Sequence, residues 1–150
     1  MSYPPALNEI VALFEPLPEG ERRENLIGYA ETAPSFRRTP GERYDLEDVR
    51  KDAECSDTVG VFLQVREGHR AWFAIELGPK VQTLTKAMTA ILCRGLNGST
   101  LEEVLEVPAD FVPRIVGADL VRLRSQTVYY VLGRMKNAVR MLQEKVGQAS

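Results

Sequence analysis

The chain is poor in the residues that build metal and redox centres. Its 150 residues include two cysteines, Cys55 and Cys93, and one histidine, His69. A structural zinc site of Cys and His alone, or an iron–sulfur site held by four cysteines, needs more such ligands than the chain has and is excluded. Two cysteines are also too few for a disulfide framework. No apolar run approaches the roughly 20 residues of a membrane-spanning helix. The opening Met-Ser-Tyr-Pro-Pro has neither the basic nor the apolar region of a secretory signal. The expectation is a cytoplasmic protein with reduced thiols. A basic excess is lacking too: 19 Lys and Arg stand against 21 Asp and Glu, a net charge of -2. A surface built to hold phosphates is normally basic, so nucleic acid is not an expected partner, and neither is a membrane.

What is present fits one ordinary domain over residues 1–150, 44% hydrophobic and 27% charged. Leu7, Ile10, Val11 and Phe14 stand at helical spacing, and Pro16 and Pro18 close that run. Residues 19–32 predict a second helix with Leu26, Ile27 and Ala30 on its inner side, followed by loop chemistry over 33–41. The period then changes to two. Val59, Val61, Leu63 and Val65 alternate with other residues, as do Ala71, Phe73, Ile75 and Leu77, with Glu67-Gly68-His69 between them. This predicts a β-hairpin over 58–77, at the centre of a sheet whose third strand lies somewhere in 44–53. Gly78-Pro79 ends the sheet and opens a helix striped by Val81, Leu84, Met88, Ile91, Leu92 and Leu96, closed by Gly95 and Asn97-Gly98. Ser99-Thr100-Leu101-Glu102 reads as the capping box of a short helix that Pro108 ends. A last helix starts near Ser125, with Val128, Leu132, Met135, Val139, Leu142 and Val146 on one apolar face. The order predicts an α+β fold, a small antiparallel sheet of about three strands packed against helices. Its core should include Val61, Leu63, Phe73, Ile75, Leu84, Met88, Leu132 and Met135.

The two cysteines have different neighbours. Cys93, in Ala90-Ile91-Leu92-Cys93, reads as a core residue. Cys55, in Asp52-Ala53-Glu54-Cys55-Ser56-Asp57, reads as a loop residue at the tip of the sheet. It is either an incidental thiol or a nucleophilic or acceptor thiol. Glu54 and Asp57 flank it, and like charge disfavours the thiolate. His69 belongs to the hairpin turn and should face solvent, which argues against a Cys–His protease. No ligand pair has a metal-binding spacing. Charge is uneven along the chain: residues 42–57 carry seven acidic and three basic residues, and residues 112–150 carry seven basic and two acidic. The two stretches are either solvated faces of opposite sign or a docking surface, the acidic one steering a basic patch on a partner.

In their joint order these residues resemble the SufE family, sulfur-acceptor partners of cysteine desulfurases, from about Phe14 to Leu142. The family places an acceptor cysteine in a loop before a hydrophobic hairpin; Cys55 followed by Val59-Gly60-Val61-Phe62-Leu63 stands at that place. The apolar helix, the turn at Ser99-Thr100-Leu101-Glu102 and the late Leu123-Arg124-Ser125-Gln126 match the family's later segments. The chain departs from the pattern at Glu54, where Gly is usual before the cysteine, and at Asp57, where Ser or Thr is usual. Gly60 stands where tryptophan is expected, and Thr127 where glycine is expected. The resemblance implies a SufE/IscU-like fold and a function. Cys55 would take sulfur from a desulfurase as a persulfide and pass it to iron–sulfur cluster assembly, with an iron–sulfur scaffold as a further partner. It implies no cofactor or metal, since exchange at sulfur needs a thiolate, access and geometry. Arg124, matching the family's late arginine, would support the cysteine loop and offset its acids. The alternative is a non-carrier interaction module that binds and modulates a desulfurase. A metal scaffold of the IscU kind needs about three cysteines and is disfavoured by their number.

Overall fold

The computed structural model of the protein describes residues 3–52 and 56–149, with side chains as far as residue 147. Helix α1 (Pro5–Phe14) opens on a proline, whose fixed φ suits the first helical position, and buries Leu7, Ile10, Val11 and Phe14. Helix α2 (Glu19–Thr32) buries Leu26 and Ala30. Ile27, expected on that inner side, is 47% exposed. One residue on from Leu26, it turns off the buried stripe onto the rim of a surface groove.

The sheet is antiparallel, with β1 (Leu46–Arg50), β2 (Val59–Arg66) and β3 (Arg70–Leu77) in that order. The expected hairpin is there, but β2 alone is central. The outer edge of β3 is covered by the chain after helix α3 (Thr83–Leu96). Ala71 N–H donates to the Ser99 carbonyl at 2.7 Å, Gly98 N–H to the Ala71 carbonyl at 2.9 Å, and Phe73 N–H to the Asn97 side-chain oxygen at 2.7 Å. An edge paired in this way offers no template to a neighbouring strand. The third strand falls within the expected 44–53, and its alternation is incomplete because its inward positions are Leu46 and Asp48, the second a carboxylate. Gly68 and His69 take positive φ in the hairpin turn, and His69 is exposed as expected.

On the inner face Val61 lies opposite Ile75 and Leu63 opposite Phe73. All four are buried beneath α3 and the long helix α6 (Ala118–Ala149). Helix α3 begins at Thr83, later than Gly78-Pro79 suggests, because Gly78 and Lys80 donate their amides to Thr58 and Asp57 of the β1–β2 connection. Leu84, expected in the core, is only half-buried, and Met88, Ile91 and Leu92 carry the burial of that helix. The capping box lies one residue later than expected: Thr100 Oγ1 accepts from Glu103 N–H at 3.1 Å and Glu103 Oε1 from Thr100 N–H at 2.8 Å, opening α4 (Leu101–Glu106). Ser99 is committed to the edge of β3. Residues 109–123, without a clear period, fold as a helical turn, α5 (Val112–Val116) and the first turns of α6. Arg124 interrupts α6 with φ −135° and ψ 39°, so its regular course starts at Ser125, where the apolar period starts. Leu142 is the last buried member of that face, and Val146, assigned to it from the spacing, is 61% exposed.

The outer face of the sheet is partly covered as well. The Tyr44 ring meets Phe62 at 5.6 Å, and the Arg38 guanidinium lies 5.4 Å from the Phe62 ring centre. Gly60 makes room for that ring, since a Cβ there would lie 3.0 Å from Phe62 Cε2.

Gly95 marks the tightest contact between α1 and α3. A Cβ there would lie 3.0 Å from Leu7 Cδ1, 3.1 Å from Leu7 Cβ and 3.2 Å from Leu7 Cα. In a helix Gly→Ala ordinarily stabilises by up to about 1 kcal/mol. Here the Leu7 backbone is involved, so a rotamer change cannot relieve the clash. Gly95→Ala is therefore expected to destabilise by about 1–3 kcal/mol in urea unfolding. A gain in stability would show that α1 shifts freely.

Candidate functional site: the loop between the first two strands

Arg50 ends β1 and pairs with Val59 at the start of β2, so residues 51–58 form the connection at this end of the sheet. Cys55, with Ala53 and Glu54, lies outside the described residues. What holds the two flanks of the connection is described.

The leading flank is held by Asp52. Its carboxylate accepts from Tyr130 Oη–H at 2.8 Å and pairs with Arg50 Nε at 3.2 Å. The trailing flank is held by Asp57. Its carboxylate accepts from Thr58 N–H at 2.7 Å and Lys80 N–H at 2.8 Å. These backbone bonds, that to Lys80 first, hold the Asp57 pKa below the ordinary aspartate range, so the group is charged at neutral pH. The carboxylate rests on Gly78, where a Cβ would lie 2.3–2.5 Å from its atoms. Glycine is needed at 78 because the Asp57 side chain occupies that space.

Beneath the base of the loop lies Arg134 of α6, 2% exposed. Its Nη2 donates to the Asp48 carbonyl at 2.7 Å and the Val59 carbonyl at 3.0 Å, and its Nε to Asp48 Oδ2 at 3.3 Å. Its Nη1 donates to Tyr130 Oη and approaches Asp52 Oδ2 at 3.7 Å. Sequence reasoning missed Arg134. The available signal was a cation in the stripe Val131, Arg134, Ala138, now seen to be buried, matched by the acids of residues 45–52. The acidic stretch is thus no row of free carboxylates: Asp48 and Asp52 turn toward the basic last helix, and Asp57 toward backbone amides.

Arg124 donates to Gln82 Oε1, two residues beyond the Lys80 amide that holds Asp57. It stands in an open groove of about 860 Å3 with Arg23, Leu84, Leu120 and Thr127. A second groove, of about 610 Å3, borders Gly78 and Pro79 and meets the first at Ile27 and Thr83. Arg124 therefore lies near the segment that anchors the loop, while Arg50 and Arg134 meet the Asp52 carboxylate. Cys93 is fully buried and unpaired by any disulfide, and burial pushes its thiol pKa up to about 12, so it is inert at neutral pH. Among the described residues no three His, Cys, Asp or Glu gather as a metal site, and no helix is long and apolar enough to cross a membrane.

Comparison with known families matches residues 8–139 to the SufE family, the Fe–S metabolism associated domain. The chain belongs to the SufE family. A solution structure of a hypothetical protein from Thermus thermophilus is similar over 95% of this chain and 99% of that one, with 27% identity and a TM-score of 0.70. The crystal structure of the N-terminal part of a nitrogen-fixing NifU-like protein from Brucella abortus shares the fold: 18% identity, TM-score 0.55, covering 78% of this chain and 92% of that one. Among curated proteins none matches the chain. For a SufE-family chain, three departures from the usual pattern now have local explanations. Asp57 is a backbone anchor, Gly60 receives the Phe62 ring, and Thr127 is a buried residue lining the Arg124 groove.

The Asp57 anchor has a testable pH dependence. A depressed carboxylate pKa means that the bonds are intact at neutral pH and are lost only as pH falls through the lowered value. The Thr58 and Lys80 amide resonances should titrate together below the ordinary aspartate range. In Gly78→Ala the new methyl displaces the carboxylate, so that Asp57 titrates in its ordinary range and both amides stop reporting it. An unchanged titration in that variant would show that the carboxylate can be held elsewhere.

Proposed function

We propose that this SufE-family protein is a sulfur carrier of the cytoplasm, formed as one domain over residues 1–150, with Cys55 as the acceptor. The thiolate of Cys55 attacks the outer sulfur of a persulfide on a cysteine desulfurase. The S–S bond of that persulfide breaks, its inner sulfur leaves as a thiolate, and Cys55 becomes the persulfide. One S–S bond forms and one breaks, so the exchange is neutral in electrons. Passing the sulfur to an acceptor on an iron–sulfur scaffold repeats the same exchange. The protein is an accessory of sulfur transfer and does not act as a stand-alone enzyme.

One observation carries the reading: the stretch that contains Cys55 is held on both sides, by Asp52 to Tyr130 and by Asp57 to Lys80. A thiol delivered into another protein's active site benefits from such a presentation, because ordering done in advance does not weigh against binding. Asp57, two residues after Cys55 and charged at neutral pH, also bears on reactivity: its negative charge disfavours the thiolate in the free protein and so protects it from adventitious oxidation. In this reading Arg124 meets the partner and supports the loop, and its bond to Gln82 beside the Lys80 anchor supports that role.

Intact mass after incubation with a cysteine desulfurase and L-cysteine tests the proposal. A gain of about 32 Da, one sulfur, is expected on Cys55 and not on Cys93. Cys55→Ser should lose both the mass gain and any stimulation of the desulfurase. Stimulation that survives Cys55→Ser would mean that the protein modulates the desulfurase without carrying sulfur.

A further inference from the structure

The buried Arg134 has no part in the exchange chemistry, and its cost needs an explanation. A buried ion pair is often no more stable than apolar residues of similar volume, so stability alone is a poor account of it. Its neighbours along the buried stripe, Val131 and Ala138, are apolar, so the charge is the exception on that face. What an apolar residue cannot do is bond to both flanks of the 51–58 connection. Arg134 reaches Asp48 before it and Val59 after it, and touches Asp52 at its leading end directly and through Tyr130. A guanidinium presents several donors in a rigid fork, whereas an ammonium is a point charge on a flexible stem.

We propose that Arg134 is a positioning residue for sulfur transfer, acting through Tyr130 and Asp52 to set the leading flank of the Cys55 connection. This rests on Cys55 being the sulfur acceptor. The chain of contacts is continuous. The guanidinium is locked by two strand carbonyls, it fixes the Tyr130 hydroxyl, and that hydroxyl donates to the Asp52 carboxylate three residues before the cysteine. Loss of the last link leaves the buried pair with Asp48 in place, so the fold persists while the flank is released. A released flank must be ordered again on docking, which weakens productive association and leaves the chemistry of the docked state unchanged.

The test measures desulfurase turnover with L-cysteine and a dithiol reductant as this protein is varied in concentration. Tyr130→Phe and Asp52→Ala should each raise the KM for this protein about tenfold, with kcat held within about twofold. Asp52→Asn keeps an acceptor for the Tyr130 hydroxyl and should restore a KM near that of the unaltered protein. Arg134→Met leaves the buried Asp48 with only the longer contact to Arg50, at 3.9 Å, and is expected to destabilise the fold, so it is not the deciding variant. Unchanged KM in both Tyr130→Phe and Asp52→Ala, with sulfur still appearing on Cys55, would overturn the positioning role alone. Loss of kcat in step with folded content would assign the cluster to the fold and likewise overturn it. Absence of sulfur on Cys55 in the unaltered protein would remove the carrier reading and this inference with it.

Discussion

The pair between Arg134 and Asp48 is the contact on which the arrangement of sheet, last helix and β1–β2 connection depends. Asp48 is the inward residue of β1 at a position where the other strands present Val61 and Ile75. An unpaired carboxylate there would be costly, and so would an unpaired guanidinium in α6. Removing one partner of such a pair typically destabilises by about 3–5 kcal/mol. Each group therefore fixes the other: the strand cannot slip by a residue and the helix cannot rotate without exposing a charge to apolar surroundings. The guanidinium's bonds to the carbonyls of Asp48 and Val59 extend that constraint to both strands at the point where the connection leaves the sheet.

The same contact explains how a chain with opposite charge in its middle and its last third has a well-satisfied interior. Among the described residues, no buried side-chain nitrogen or oxygen lacks a partner. Charge asymmetry along the sequence invites a reading in terms of an external partner. In the folded molecule part of it is neutralised internally, with Asp48 and Asp52 against Arg134 and Arg50. What faces outward beside the connection is a pair of grooves with apolar floors and Arg23, Arg37, Lys86 and Arg124 along them. Glu31 and Glu76 are the acidic lining residues, both in the groove that borders Gly78. The surface near the site is thus more cationic than the local sequence around Cys55 suggests.

Periodicity made most of the architecture legible. Strict alternation over 59–65 and 71–77, and the 3- and 4-residue steps from Val128 to Leu142, report which face of each element is buried. Those patterns are local and survive without knowledge of what they pack against. The resemblance to SufE-family chains was likewise in the order of local segments, and the family match covers residues 8–139. Cys93 could be assigned to the core from its neighbours alone, and the structure buries it completely.

Positions whose role is a long-range polar contact were not legible. β1 could be placed only within 44–53 because one of its inward residues is a carboxylate, and a charge reads as solvent-facing until its partner, 86 residues away, is known. The start of α3 was misplaced because Lys80 donates its amide to Asp57 instead of entering the helix. Asp57 read as a charge beside the thiol, and its further role as acceptor of two backbone amides was not legible. Composition and period alone determined the class of fold, the burial of Cys93 and the position of Cys55 ahead of a hairpin. Only the tertiary structure decided which charges are neutralised within the molecule and what holds the flanks of the loop, because those depend on distances between residues that the chain order leaves far apart.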